Sequence, residues 1–274
     1  MDIPDYFLEK QCAGFLNTPE LWNSTQFGVQ QFNFPAIELT NFSPNPIPQN
    51  IRLGHQLEYI CKQLLNYSNR YTVLLHNFPI YKDKQTLGEI DFILKDTKTK
   101  ELIHLELTYK FYIINSEILD PLQCLIGPNK RDSFLAKLEK IKNKQFKLLH
   151  SYEGAKALEE NAINNANIKH QACFKGQLFK KHGTATSLIQ PLNNNCIVGY
   201  WLRFNDFISD AFKSFQYYIP SKSEWVVEPQ NAVQWTSYLN TKDTLTTHML
   251  NKNSPMVWMK KSENHFEKFF VVWW

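Results

Sequence analysis

The run GEIDFILKDTKTKELIHLELTYKFYI, from Gly88 to Ile113, constrains the fold of this chain more than any other stretch. Two segments with strand-like composition flank the polar turn DTKTK. Successive strand residues face opposite ways, so the pattern is read with period two. Ile90, Phe92 and Leu94 share one face of the first segment, and Glu89, Asp91 and Ile93 the other. On the second segment Ile103, Leu105, Leu107, Tyr109 and Phe111 oppose His104, Glu106, Thr108 and Lys110. The pattern predicts a hairpin with one apolar face and one face that carries charge. Suppose it closes around Lys98 and Thr99, with Thr97 opposite Lys100. Asp91 then falls directly opposite Glu106. Directly opposed residues hold their Cβ atoms about 4.5–5.5 Å apart, and like charges there are destabilising. A divalent cation removes that penalty, and Mg²⁺ takes oxygen ligands. The competing expectation is a solvated face whose acids are neutralised by Lys98, Lys100 or Lys110.

Three other features bear on the choice. The segment 51–68 places Leu53, Leu57, Ile60, Cys61 and Leu64 on one helical face, with Glu58 at the edge of that face. Lys110 shares a strand face with Glu106, and an ammonium beside a metal site stabilises developing negative charge. A long amphipathic helix is expected within 127–151, after a break at Pro128. Its apolar stripe is Phe134, Leu138, Ile141 and Leu148, with Gln145 inside that stripe. Lys137, Lys140, Lys144 and Lys147 recur at spacings of three and four, a basic ridge suited to phosphate contacts.

Composition sets outer limits. The 274 residues are 43% hydrophobic, enough for a sizeable core. A net charge of +4 is compatible with nucleic acid without being diagnostic of it. Cys12, Cys61, Cys124, Cys173 and Cys196 are scattered and form no CxxC, which predicts reduced thiols and a cytoplasmic protein. The eight histidines form no HxH or HxxxH pair, so the spacing gives little support to a histidine-based metal site. The first twenty residues do not read as a signal peptide. The longest wholly apolar run, Phe269 to Trp274, is too short to span a membrane.

Along the chain, residues 4–16 and 18–30 are expected to be partly helical, with Thr18-Pro19-Glu20 as a helix start. The segment 40–50, with three prolines and three asparagines, reads as an extended linker. A strand is expected at 71–81, and helix then loop at about 153–170. From Ala172 the texture shifts to short aromatic strands: ACFKGQLFKK, CIVGYWLRF, FQYYIP, SEWVVEP and FFVVWW. The resulting division is an N-terminal helical segment and linker at 1–50, an α/β core at 51–160 and a β-rich C-terminal lobe at 161–274. The tryptophans of that lobe read first as core residues.

A helix glutamate, an aspartate in GEIDF and an acid in LELTYK together resemble the PD-(D/E)XK nuclease-like superfamily. More specifically, RLGHQLE, LGEIDFIL, HLELTYKFYI, GPNKRDSFLAKLEKI, FKGQLF and GYWLRF resemble a bacterial family catalogued as domain-of-unknown-function family 1853. The superfamily resemblance implies an α/β/α core with a mixed central sheet. It also implies Mg²⁺- or Mn²⁺-dependent hydrolysis of phosphodiester bonds. Carried over, Glu58 is the helix acid, Asp91 and Glu106 are metal ligands, and the Leu107 backbone carbonyl is a third. The pattern departs at one position. The superfamily places lysine two residues after the second acid, where this chain has Thr108, and the next lysine is Lys110. Four strand residues span about 13 Å, so Lys110 reaches a metal only by folding back or on a bulge; otherwise it pairs with Glu89. The function expected is a metal-dependent nuclease acting on DNA. The alternative is a non-catalytic nucleic-acid-binding or protein-interaction module on the same scaffold.

Overall fold

The structure is a computed structural model that describes residues 5–48, 50–115, 117–120, 122–164, 167–185 and 189–274. The chain is mixed α/β. In order it forms α1 (Asp5–Asn17), β1 (Thr25–Gln26), β2 (Val29–Gln30), α2 (Leu53–Tyr67), β3 (Tyr71–Lys82), β4 (Gln85–Asp96), β5 (Leu102–Ile114) and β6 (Leu125–Ile126). There follow α3 (Phe134–Lys140), a π-helical turn (Ile141–Gln145), α4 (Phe146–Leu148), α5 (Tyr152–Glu160), β7 (Lys169–Lys181), β8 (Ile197–Arg203) and α6 (Phe204–Phe207). The chain ends with β9 (Gln216–Tyr218), β10 (Thr236–Ser237), α7 (Tyr238–Leu250), β11 (Met256–Ser262) and β12 (His265–Val272).

Two compact units emerge. The first comprises residues 1–109 and 136–175, the second 110–135 and 176–274. Strands β5 and β7 each run from one unit into the other along the chain.

In the first unit the strand order is β7-β5-β4-β3, with β3–β4 and β4–β5 antiparallel. Helix α2 forms where the sequence pattern expects it, and Leu53, Leu57, Ile60, Cys61 and Leu64 are all buried. Each of these leucine and isoleucine side chains contributes about 1.5–3 kcal/mol on full burial. A second apolar cluster joins Ile80, Ile90 and Ile93 of the sheet to Leu149, Leu158, Ile163 and Ile168. The helical segment approaches β4 closely: a Cβ on Gly88 would stand 2.9 Å from Leu148 Cδ2, so only glycine fits there without a shift. In the second unit the order is β10-β9-β11-β12-β8-β7, antiparallel except for the parallel β12–β8 and β8–β7 pairs. Its core gathers Phe207, Tyr217, Leu245, Val257 and Phe269 among others.

Two expectations fail for local reasons. Residues 18–30 are not helical. Thr18 closes α1 instead, its N–H and Oγ1 both donating to the Gly14 carbonyl (3.1 and 2.8 Å). The chain then docks on β7 through Leu21 N–H to Phe174 O at 2.9 Å. SEWVVEP is not a strand, because Ser221 and Glu224 form a capping box that winds Lys222–Glu224 into a 3₁₀ turn. All five cysteines are buried, and none forms a disulfide among the described residues. Among the described residues, no helix is long and apolar enough to cross a membrane.

Candidate metal centre

The β4–β5 hairpin has the register that the period-two pattern predicts: Lys95↔Leu102, Leu94↔Ile103, Ile93↔His104 and Phe92↔Leu105. Continued by one step, that register would set Asp91 opposite Glu106, but the ladder ends at Phe92↔Leu105. Beyond that pair Asp91 Oδ2 accepts the Leu107 N–H at 2.8 Å. The turn is one pair wider than expected. It closes at Asp96 N–H to Glu101 O (2.9 Å), with Lys100 left-handed at φ 63°. Widening both sides equally leaves the register unchanged.

The charge-bearing face is not solvated. Asp91, His104, Glu106 and Thr108 are all buried, Glu106 and His104 completely. None of the three lysines expected to neutralise the acids does so directly. Lys100 Nζ donates to the Thr97 carbonyl at 2.6 Å. Lys110 Nζ binds Asp132 at 2.7 Å, in the second unit, and so does not pair with Glu89.

What meets Glu106 comes from the helical segment. Gln145 Nε2 donates to Glu106 Oε2, and Lys137 Nζ donates to Gln145 Oε1 at 3.3 Å. Gln145 closes the π-helical turn, in which Phe146 N–H bonds to Ile141 O, five residues back. Such single-turn insertions often accompany functional sites. The extra residue also shifts the buried stripe, so that Leu149 is buried where the simple periodicity expects Leu148. Lys137 is half-buried, whereas Lys140, Lys144 and Lys147 are exposed. The ridge therefore divides into one inward lysine and three surface ones.

Electrostatically the centre gathers several buried or half-buried acids. Burial, then the charges of Glu106 and Glu58, hold Asp91 well above the carboxylate range. Burial pushes Glu106 up to about 7, against the opposing pull of Lys137, a hydrogen bond from Asp91 and Lys140. Two carboxyls buried this close ionise less readily than one alone, as in other paired acids. Burial and Glu58 also raise Glu89.

Glu58 enters from α2, as its place at the edge of the buried face implies. Its Oε2 accepts from His55 Nδ1 and Asn77 Nδ2, both at 2.9 Å. Asn77, left-handed at φ 47°, lies between the pairs His76↔Phe92 and Phe78↔Ile90, across from Asp91. Ligand atoms of His55, Glu58 and Glu89 all lie within 4.8 Å of one another. The histidine-pair spacings missed His55. The usable signal was H-x-x-E, which sets His55 and Glu58 on one helix face.

Thr108 occupies the position where the superfamily pattern has lysine. It is 3% exposed, and its hydroxyl finds no hydrogen-bond partner among the described residues. A buried hydroxyl without a partner is costly, and such groups commonly mark a bound water or ion.

A chain of imidazoles, also missed from sequence, leads away from Glu106. His104 Nε2 lies 3.0 Å from Glu106 Oε1, His104 Nδ1 2.9 Å from His170 Nδ1, and His170 Nε2 2.7 Å from His150 Nε2. Burial, reinforced by neighbouring imidazoles, lowers His104 to about 3 and His170 to about 4. The His104–Glu106 contact has salt-bridge distance, but a neutral imidazole makes it a hydrogen bond and not an ion pair.

The model of a family described as a domain of unknown function, DUF1853, matches residues 30–272. The chain belongs to the DUF1853 family. That match spans both units of the DUF1853 chain and every residue placed in the centre above. No curated protein and no solved structure matches it.

Proposed function

We propose that this DUF1853 protein is a metal-dependent nuclease that hydrolyses DNA phosphodiester bonds at a PD-(D/E)XK-type centre. One observation carries the reading: Asp91 and Glu106 are both buried next to the last β4–β5 pair, burial raises both, and Glu106 and Glu58 raise Asp91 further. The donor set fits a hard divalent cation, because both groups are carboxylates and the orphaned Thr108 hydroxyl lies two residues beyond Glu106. Asp91, Glu106 and the Leu107 carbonyl would hold Mg²⁺ or Mn²⁺. Such an ion supplies a more acidic water and neutralises charge on a phosphoryl oxygen.

The chain's own residues do the rest. Lys137, whose charge already acts on both carboxyls, stabilises negative charge that develops on the phosphate. It takes the role expected of Lys110, whose ammonium is held by Asp132. Gln145 orients Glu106. The exposed Lys140, Lys144 and Lys147 contact the phosphate backbone on either side. The purified protein is expected to cut duplex or single-stranded DNA in Mg²⁺ or Mn²⁺. Asp91→Ala should lower the rate at least ~100-fold, in line with loss of a charge-stabilising group. Undiminished cutting by that variant would reject the centre.

The second reading is a nucleic-acid-binding module without catalysis. Thr108 in the lysine's position, together with the capture of Lys110 by Asp132, favours it. Binding without cleavage, weakening steeply with salt, selects this reading.

A further inference from the structure

We infer that His104, His170 and His150 form one hydrogen-bonded rod that orients Glu106, which makes His104 a positioning residue of the centre and His170 the residue that positions His104. The inference rests on the metal reading above and adds how the second acid is held. Glu106 and His104 are both wholly buried, so neither side chain is steered by solvent. His150 lies at the exposed end. Phe146 fixes the middle of the rod, its ring 5.7 Å from His104 and 5.0 Å from His170, and His150 meets His170 edge-on at 4.9 Å.

The donor directions follow from one acceptor. With Glu106 Oε1 accepting, and with one donor and one acceptor nitrogen on each neutral imidazole, the chain of contacts is determined. His104 Nε2 therefore donates to Glu106 Oε1, and its Nδ1 accepts. His170 Nδ1 must then donate and its Nε2 accept. His150 Nε2 must donate in turn. The tautomers alternate as Nε2–H, Nδ1–H and Nε2–H along the rod. Each ring has a unique orientation once the next is set, and the last fixes the carboxylate.

With Oε1 tied to His104 and Oε2 to Gln145, the remaining lone pairs of Glu106 are presented in a fixed direction. Groups that orient metal ligands in this way typically change metal affinity 10–100-fold when removed. No sequence spacing joins these histidines, since His150 and His170 lie far along the chain from Glu106. The rod exists only because the helical segment and β7 both pass beside β5 in the first unit.

The test is calorimetric titration of Mn²⁺ into wild type, Asp91→Asn, His104→Ala, His104→Gln and His170→Phe, with a metal-free melt of each. Expected are a 10–100-fold weaker Mn²⁺ Kd for His104→Ala, partial recovery for His104→Gln, whose amide still donates, and a several-fold loss for His170→Phe, which keeps the ring and loses the nitrogens. Nitrogen NMR of metal-free wild type at pH 8 should read Nε2–H at His104, Nδ1–H at His170 and Nε2–H at His150. That readout stands even if a His104 variant fails to fold. Mn²⁺ binding within threefold of wild type in both His104→Ala and His170→Phe, while Asp91→Asn abolishes it, overturns the positioning role and leaves the metal reading intact. A different tautomer pattern also overturns it. Absence of Mn²⁺ uptake by wild type overturns both.

Discussion

Asp91 and Asp96 lie five residues apart on β4, and both are buried, at 8% and 5% exposure. They are nevertheless opposite kinds of aspartate. Asp96 Oδ1 accepts from the N–H groups of Lys98 (2.8 Å) and Thr99 (2.9 Å), and its Oδ2 meets Arg70 Nη2 at 2.6 Å. Burial works against its charge, but the Thr99 and Lys98 N–H groups and then Arg70 prevail and hold it below the usual carboxylate range. Asp91 accepts one backbone N–H and faces Glu106 and Glu58, so its shift runs the other way. Burial alone therefore does not mark a functional acid. What separates the two is whether the fold supplies the compensating donors, and around Asp91 it supplies further acids.

Substitution should break the comparison most visibly. Asp96→Asn is expected to destabilise the protein by about 2 kcal/mol, because charge-assisted hydrogen bonds close this turn and bind Arg70. Denaturant melts would show the loss, and DNA cleavage at a permissive temperature should persist. Asp91→Asn should behave oppositely in metal-free protein. Its amide carries no charge to be buried beside Glu106, so stability should stay within ~0.5 kcal/mol of wild type or rise. A loss of ~1 kcal/mol would instead indicate a conventional ion pair.

A pH series sharpens the same contrast at smaller amplitude. Glu106 is raised from 4.5 to about 7, so the folded chain keeps a proton that the unfolded chain has released. Its contribution is intact below pH 4.5 and is lost as pH rises towards 7. Asp91 acts in the same direction. Asp96 is depressed, so its contribution is complete above 3.8 and is lost as pH falls through its lower folded value. His76, His104 and His170, all lowered, cost stability as pH falls below 6.5 and would mask the trend in wild type alone. The difference between Asp91→Asn and wild type largely cancels the histidine contributions. It should favour the mutant more at pH 7.5 than at pH 5.

The smallest expected effect belongs to the outer basic ridge. Lys144→Gln and Lys147→Gln should leave stability within ~0.5 kcal/mol of wild type. Each should reduce the salt dependence of DNA binding by about one ion's worth. Unchanged salt slopes would remove these lysines from the phosphate path.

The contrast between the two aspartates also shows what sequence can convey. The hairpin register was legible because alternation and turn length leave few pairings, and a wider turn did not disturb it. Glu58 was legible because a residue at the edge of an amphipathic face must sit where helix meets sheet. Gln145 was legible as a residue of the buried stripe, but its contact with Glu106 depends on a π-helical turn with no sequence period of its own. Asp132 captures Lys110 just ahead of α3, and His150 and His170 reach His104 across the sheet and helices. These are encounters between distant segments, and local spacing does not encode them. The same limit explains residues 18–30, where pairing with β7 overrides a plausible helix start.

In the metal reading proposed above, a divalent cation displaces the proton that the raised acids Asp91 and Glu106 hold. Titration of Mn²⁺ into wild type and Asp91→Asn, repeated in buffers of different ionisation enthalpy near pH 7, tests this directly. Saturable binding to wild type with proton release is expected, since ligands must deprotonate to bind metal, and no such binding to Asp91→Asn. Equal binding by both proteins, or none by wild type, would contradict it.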